Sequence, residues 1–366
     1  MKYNWQLKEW PRFRYDASEV EEASKLFSVQ LERAKAVLSA FDVSTEEGKK
    51  LEAIVAEAVS TSAIEGEKLN PQDVMSSMKN RLGQNQKPVV VRDYRAAGVA
   101  AMMLKIRDGF TQPLSETMLH GWHRLLFEDY PVREAPDVVG DYRNDAIVVK
   151  SARVDDEAVR FEAPPAKAVP QEMKRYVRWF NQTGQQQMDT AVRAALAHLY
   201  FESIHPYCDG NGRLGRALVS KAVAQSGGAF VMIPFSVGLL EHRKTYYEAL
   251  HKASATLDVT GWIQGFVTLL TQSVQNYENE LRFQIRVLCL MSKAQMLMNT
   301  RQMKVFNRMA REGAKGFSGG MSSAKYQAIA RTSKATATRD LSEMARMGVF
   351  RKTGAGPSVR YHIAER

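Results

Sequence analysis

Apolar residues recur at three- and four-residue spacing along most of this 366-residue chain, so helices are expected nearly throughout. Leu51, Ile54, Val55, Ala58 and Val59 mark one face of a helix that starts near Thr45 and ends at Gly66, a natural terminator. Before it, Ala23, Leu26, Leu31 and Ala34 carry a helix for which Ser18 offers a cap, entered through an extended Trp10-Pro11 pair. Asn70 as N-cap and Pro71 at the first helical position open another, running toward Gln84. The same periodicity predicts helices over 91–108, 114–127, 169–183, 189–203 and 258–281, a helix carrying Tyr246 and Tyr247, and a connector helix over 281–307. The first 300 residues hold one clear β signal: A-I-V-V-K-S and Val159-Arg160-Phe161 flank the polar stretch 154–157 and read as a hairpin. The class is mainly α.

Beyond residue 307 the pattern changes. Gly313, Gly316, Gly319 and Gly320 form a loop that lacks the G-K-S/T of a phosphate-binding P-loop. A short helix capped by Ser322 or Ser323 follows, then a second capped by Ser333 and closed by Gly348. Residues 349–352 and 359–363, about a Gly-Ala-Gly-Pro turn, read as a small hairpin. Charge sets this segment apart. The net charge is +11, and residues 301–366 hold 14 Lys and Arg against 4 Asp and Glu. The basic character therefore belongs to the C-terminal segment, which points to an acidic partner, nucleic acid first. Helix, helix and hairpin with this charge resemble a winged helix-turn-helix domain. Lys334, Thr336, Thr338 and Arg339 would stand at the N-terminus of its second helix, where major-groove readers place their contacts. Arg351, Lys352 and Arg360 would meet phosphate from the hairpin. Winged helices also serve as protein-interaction modules.

Two cysteines, Cys208 and Cys289, cannot build a disulfide framework and fit a reducing compartment. The N-terminus has no apolar signal region, and no apolar run reaches membrane-spanning length. The expectation is a cytoplasmic protein without a membrane association. His120 and His123, three apart on one predicted helix, lack a further ligand for zinc and read as hydrogen-bonded helix residues.

The chemistry concentrates in I-H-P-Y-C-D-G-N-G-R-L-G-R-A-L, residues 204–218. Gly210-Asn211-Gly212 lets the backbone approach a ligand closely, and a helix beginning there points unpaired N–H groups at an anion. Arg213 and Arg216 are neighbours on that helix and would clamp a polyphosphate. Asp209 is a hard oxygen ligand suited to the Mg²⁺ that nucleotides carry, and His205 can act as a base at neutral pH.

This stretch resembles the Fic family signature, H-P-F-x-D/E-G-N-G-R-x-x-R, with Tyr207 in place of the usual Phe. Tyr fits there if its hydroxyl finds a partner. The resemblance implies a helical Fic core that transfers AMP from ATP to a Ser, Thr or Tyr hydroxyl of a target protein, with ATP as substrate and Mg²⁺ as cofactor. It implies His205 as catalytic base, Asp209 as the metal ligand, and Gly210, Asn211, Gly212, Arg213 and Arg216 as nucleotide-binding residues, with Tyr247 near the base. Thr61 through Gly66 is similar to the family's inhibitory motif, S/T-x-x-x-E-G/N, which implies that Glu65 reaches Arg216 and blocks placement of the γ-phosphate. Gly140-Asp141-Tyr142-Arg143 before the first hairpin and Pro164-Pro165 after it resemble the family's flap, which implies that a target protein docks by strand pairing on residues 146–162. The region from Trp5 to Gly83 looks like the N-terminal domain of one branch of the family, and a homodimer is compatible with the resemblance.

The expected organisation is a helical segment with the inhibitory motif over 1–88, a Fic domain with a β-hairpin flap over 89–282, and a connector with a small α+β winged-helix domain over 283–366. DNA would bind through 322–363. Two alternatives stand beside AMP transfer: removal of AMP by the same site, with the glutamate positioning a water, and a DNA-binding transcriptional regulator whose Fic domain senses nucleotide.

Overall fold

Helices make up 64% of the chain, which fixes the class as mainly α. The computed structural model describes residues 2–150, 159–226 and 230–365. The chain separates into one unit of residues 1–36 and 42–275 and a second of residues 37–41 and 276–366.

In the first unit, α1 (Ala17–Leu38) and α2 (Val43–Ile64) lead to α3 (Pro71–Arg81), α4 (Tyr94–Asp108) and α5 (Glu116–Phe127). Short polar side chains set their starts. Asp42 accepts from the N–H of Thr45 at 3.1 Å, so α2 begins ahead of Thr45 itself. Asp16, not Ser18, receives the first exposed N–H of α1, at 2.9 Å from the Ser18 nitrogen. Asn70, Asp93 and Ser115 cap α3, α4 and α5 in the same way.

Strands β1 (Val148–Lys150) and β2 (Val159–Glu162) pair antiparallel, with Val149 opposite Phe161 and a register shift between Val149 and Lys150. The polar turn expected at 154–157 lies outside the described residues. Next come α6 (Val169–Gln185), α7 (Thr190–Ile204) and α8 (Asn211–Ser226). Every residue of α7 from Ala191 to Ile204 is buried, so the helix that ends at the glycine-rich turn is the central element of the unit. Buried Arg193 is satisfied on it. Its guanidinium donates to the carbonyls of Phe180 (3.0 Å) and Ala222 (3.2 Å) and to Gln225 (2.7 Å), and lies over the Phe180 ring. Helices α9 (Phe235–Glu241) and α10 (Arg243–Ala253) follow. The sequence pattern resolves only the second of these, because α9 is seven residues long.

One sequence expectation is corrected. The helix expected over 258–281 and the connector expected over 281–307 form one 35-residue helix, α11 (Thr260–Ala294), because no breaker stands at 281. The chain breaks at 295–299 instead, where Asn299 caps α12 (Thr300–Ala310) through the N–H groups of Arg301 and Gln302.

Within the second unit α12, α13 (Ser323–Ala330) and α14 (Lys334–Arg346) join a two-stranded hairpin, β3 (Phe350–Thr353) with β4 (Arg360–Ile363), in the register Phe350 opposite Ile363. Val305, Phe306, Tyr326, Leu341, Met344 and Phe350 are buried together in its core. Asp340 is buried there and satisfied by the Tyr326 hydroxyl at 2.9 Å and Arg301 at 3.1 Å. Ser322 and Ser333 cap α13 and α14, and Gly348, at φ +71°, ends the last helix. Among the described residues no helix is long and apolar enough to cross a membrane.

Candidate active site

His205 terminates α7 in the left-handed region, φ 51° and ψ 61°. A residue with a Cβ takes this conformation at a cost, and only where its surroundings enforce it. Arg143 supplies the enforcement. Its buried guanidinium donates to the His205 carbonyl (2.8 Å), the Asp145 carbonyl (2.7 Å) and the Pro164 carbonyl (2.6 Å), while its own backbone N–H donates to the Pro206 carbonyl at 3.0 Å. One side chain thus ties the turn to both feet of the β1–β2 hairpin. The His205 imidazole faces Glu202, with Nδ1 3.6 Å from a carboxylate oxygen. Burial works to raise the Glu202 carboxyl, but His205, His198 and Arg216 outweigh it and hold the group below its usual range.

The turn is fixed from below by aromatic rings. Tyr207 is fully buried and stacks on His123, with centroids 4.2 Å apart and planes 14° from parallel. Its hydroxyl lies 3.3 Å from Nδ1 of His120, which supplies the partner that a Tyr needs in this place. His123 accepts from the Gly140 N–H at 2.8 Å and faces the Asp209 carbonyl at 3.2 Å. Burial pushes its imidazole down to about 4, so the ring is neutral near pH 7 and donates from Nε2. Both histidines therefore belong to the support of the turn.

Asn211 closes the turn with its side chain: Oδ1 accepts from the Tyr207 N–H at 2.9 Å and Nδ2 donates to the Tyr207 carbonyl at 2.7 Å. Gly210 sits at φ +76°, which favours glycine. Helix α8 starts at Asn211 directly after it, so its N-terminal amide groups open onto the turn. The Asp209 side chain is 62% exposed, with one oxygen 3.6 Å from Arg213. Among the described residues no group of three or more His, Cys, Asp or Glu stands ready to hold a metal. An exposed single carboxylate nonetheless fits Mg²⁺ arriving with a nucleotide, since that ion takes one or two carboxylates and completes its shell from phosphate and water.

Arg213 and Arg216 stand on the first turns of α8, buried, and both are occupied by the segment that follows α2. Arg216 donates to the Thr61 hydroxyl (2.6 Å), the Thr61 carbonyl (3.0 Å) and Glu65 (2.6 Å). Burial opposes its charge, and Glu65 more than restores it. Gly66, at φ +92°, ends α2 and turns the chain so that Glu65 and Glu67 both reach α8. The Glu65 carboxylate rests against Gly212, where a Cβ would stand 2.2 Å from it. Arg213 donates to Glu67 at 2.8 Å and lies over the Phe127 ring, and the Tyr130 hydroxyl donates to the other Glu67 oxygen at 2.9 Å. Tyr247, on α10, is 37% exposed. Burial of its hydroxyl, with Glu65 adding to it, pushes that group up to about 12.

The structure thus brings together His205, Asp209, Gly210, Asn211, Gly212, Arg213, Arg216, Thr61, Glu65 and Gly66, with Tyr247 close enough to feel their charges. Lys334, Thr338 and Arg339 are exposed on α14 of the second unit, with Thr336 half-buried. The sequence assigns no individual role to Glu67, Tyr130, Arg143 or Glu202. Arg143 is the only one of these with a local signal, as the last residue of G-D-Y-R.

Residues 113–222 match the Fic/DOC family, and residues 3–84 match a domain of unknown function (DUF4172). The chain is 31% identical over 159 residues to the protein adenylyltransferase fic-1 of Caenorhabditis elegans, covering 42% of this chain and 30% of that protein. It is 30% identical over 109 residues to a probable protein adenylyltransferase of Aquifex aeolicus, covering 29% and 31%. The chain spans about a third or less of the length of these curated relatives. In fold it is similar to a Fic family protein from Desulfovibrio desulfuricans G20, with a TM-score of 0.53, 18% identity, and 93% of this chain and 96% of that one covered. Residues 113–222 are thus similar to the Fic/DOC family and part of the chain to proteins named protein adenylyltransferase, while the solved structure shares the fold.

Proposed function

We propose that this chain transfers AMP from ATP to a Ser, Thr or Tyr hydroxyl of a target protein, and that Glu65 holds it silent. The observation that carries the reading is the convergence of two buried arginines, the α8 N-terminus and a strained, locked His205 on one turn, inside the segment that matches the Fic/DOC family. In this reading residues 89–282 are the catalytic domain, 1–88 carry the inhibitory motif, and 283–366 are the connector and a winged-helix domain.

His205 takes the hydroxyl proton on Nε2 as the target oxygen bonds to the α-phosphorus. The bond from that phosphorus to the bridging oxygen of the β-phosphate breaks, and pyrophosphate leaves with the electron pair. The amide of Gly212 and the rest of the α8 N-terminus face the charge that develops, while the Gly210 N–H donates to Asp209 at 2.5 Å. Arg213 holds the β-phosphate and Arg216 the γ-phosphate once their carboxylates are displaced. Asp209 would hold Mg²⁺, which supplies neutralisation of the α- and β-phosphate charge. Tyr247 lines the base. A target strand adds to the β1–β2 hairpin, and Arg143 keeps both feet of that hairpin in register with His205.

Inhibition follows from competition. A carboxylate and a phosphate seek the same guanidinium donors, and Glu65 already occupies those of Arg216 while lying on Gly212. The test is transfer of label from α-³²P-ATP and γ-³²P-ATP with Mg²⁺ by wild type, Glu65→Gly and His205→Ala, read on self-modification. AMP transfer requires label from the α position only, strongest in Glu65→Gly and absent in His205→Ala. Release of AMP from a modified target by wild type, lost in Glu65→Gly, would favour the reverse chemistry by the same site.

A second activity is favoured by the exposed, cationic start of α14. Lys334 and Arg339 face solvent there, and Arg351 and Lys352 stand exposed on β3. Duplex DNA would receive α14 in its major groove and the hairpin on its phosphates. Binding by the full chain should weaken steeply between 50 and 200 mM salt, as phosphate contacts do, and Lys334→Ala/Arg339→Ala should lower it. Retention indifferent to both would assign this unit to protein contacts.

A further inference from the structure

Glu202 lies one helical turn before His205 on α7, almost wholly buried, with one carboxylate oxygen 3.6 Å from the imidazole Nδ1. Its other oxygen, Oε1, has no hydrogen-bond partner, and neither does Nδ1 of His198 one turn earlier. Burying a carboxylate with so few donors is costly, and a core leucine would fill the space at less expense. Among the described residues His205 is the one ion-pair partner of Glu202.

The packing is built around this group. Gly215 of α8 lies directly over it, and a Cβ there would stand 2.6 Å from Glu202 Oε1 and 2.9 Å from His198 Nδ1. His198 is fully buried and held from its far side, its Nε2 2.7 Å from the Tyr246 hydroxyl. Tyr246 and His198 thus stand on one side of the Gly215 position and Glu202 beside them, with His205 beyond Glu202 at the turn. The His205 backbone is already fixed by Arg143 and by the N–H bond to Phe201 at 2.9 Å. What remains free is rotation of the ring and the choice of which nitrogen carries the proton.

We infer that Glu202 is the positioning residue of the proposed reaction: it accepts the Nδ1–H of His205, which leaves the Nε2 lone pair directed at the target hydroxyl. A base must be oriented by a third group for its lone pair to meet the proton it removes. When Nε2 takes that proton, the carboxylate balances the imidazolium and stays unprotonated itself. The proton then leaves to solvent from Nε2, and the starting tautomer returns. His198, tied to the Tyr246 hydroxyl, and the close approach of Gly215 confine the carboxylate from behind.

This inference rests on His205 being the base, and its test separates the two. Full-length protein labelled with ¹⁵N-histidine is compared as wild type, His205→Ala (to assign the signals), Glu202→Gln and Glu202→Leu by long-range ¹H–¹⁵N spectra. The expected signature is a His205 ring protonated on Nδ1 in wild type and a mixed or inverted tautomer in Glu202→Gln, where the amide can donate to Nδ1. A wild-type ring protonated on Nε2, or a tautomer unchanged by both substitutions, overturns the inference whatever the activity. In parallel, AMP transfer is measured in the Glu65→Gly background. There Glu202→Gln should lower kcat by roughly 10- to 100-fold, the range for mis-set general bases, with KM for ATP unchanged. A kcat equal to the parent's also overturns it, as does a loss carried by KM alone. If the Glu65→Gly parent transfers nothing, the proposed activity fails while the tautomer result still decides the role of Glu202.

Discussion

Glu67 grips Arg213 at 2.8 Å, two residues after the glutamate that grips Arg216 at 2.6 Å. The segment leaving α2 thus occupies both arginines, and the Tyr130 hydroxyl braces the second clasp. Removing Glu65 takes the competing carboxylate from Arg216, which keeps its bonds to Thr61, and leaves Arg213 engaged. In the Glu65→Gly background, Glu67→Gln is expected to lower KM for ATP by about fivefold, equivalent to roughly 1 kcal/mol for a partly exposed pair, with kcat nearly unchanged. Initial rates against ATP concentration check this. An unaltered KM would mean that the nucleotide displaces Glu67 without cost.

Arg143 should tolerate no substitute. Its planar fork serves three carbonyls in different directions, and a lysine ammonium cannot reach all of them. Arg143→Lys is expected to destabilise the first unit by roughly 2–4 kcal/mol, since it strands buried carbonyls, and to abolish transfer through loss of the His205 conformation. All five tryptophans lie between residues 5 and 262, so tryptophan fluorescence in a urea titration reports on this unit.

What the sequence made legible is the chemistry that is contiguous in it. The spacing from His205 to Arg216 presents one turn and one helix face, and Thr61 to Glu65 spans one turn of α2, so both sets could be recognised as units. Contacts across the fold carried no such mark. Glu67 stands in a polar run, and nothing local says that it meets a residue 146 positions later. Glu202 sits in an apolar helix as one charged residue among many in the chain. Asn211, expected to serve the nucleotide, spends both polar atoms of its side chain on Tyr207. The missed join in α11 has a similar cause. Periodicity continues through residue 281, and the stop signal, the Asn299 cap, comes later than expected.

Gly215 offers a test of packing against propensity. Alanine at an ordinary helical glycine gains up to about 1 kcal/mol, and Gly261 of α11 has nothing within 4 Å of a new Cβ. Gly261→Ala is therefore expected to stabilise the first unit. Gly215→Ala would press a methyl onto Glu202 and His198 at under 3 Å, and is expected to destabilise by roughly 1–3 kcal/mol as an overpacked core does. It should also slow transfer, because the carboxylate that yields is the one beside His205. The two variants measured together distinguish site strain from helix propensity.

The last expectation concerns pH. Glu57, in the middle of α2, is fully buried and accepts from the Ser236 N–H at 2.9 Å and from its hydroxyl. Burial pushes its carboxyl up to about 7, against a usual value of 4.5, despite these donors and nearby Arg216. The folded protein therefore binds this proton more tightly than the unfolded chain. Its stabilising contribution is complete below about pH 4.5 and is lost as pH rises through about 7, an effect on the order of 3 kcal/mol. His123 and His198 act in the opposite sense. Burial pushes both down to about 4, so their contribution is complete above 6.5 and lost on acidification. The Glu57 effect must be read as a difference. Glu57→Gln keeps an acceptor for Ser236 and removes the titration. Urea unfolding of wild type and Glu57→Gln at pH 5, 6, 7 and 8 should show the wild type losing ground to the variant up to about pH 7 and the difference levelling off by pH 8. A difference that stays flat would place Glu57 at its ordinary value, charged in the folded state, and would make the α2–α9 contact an ion–dipole clamp in place of a proton-dependent one.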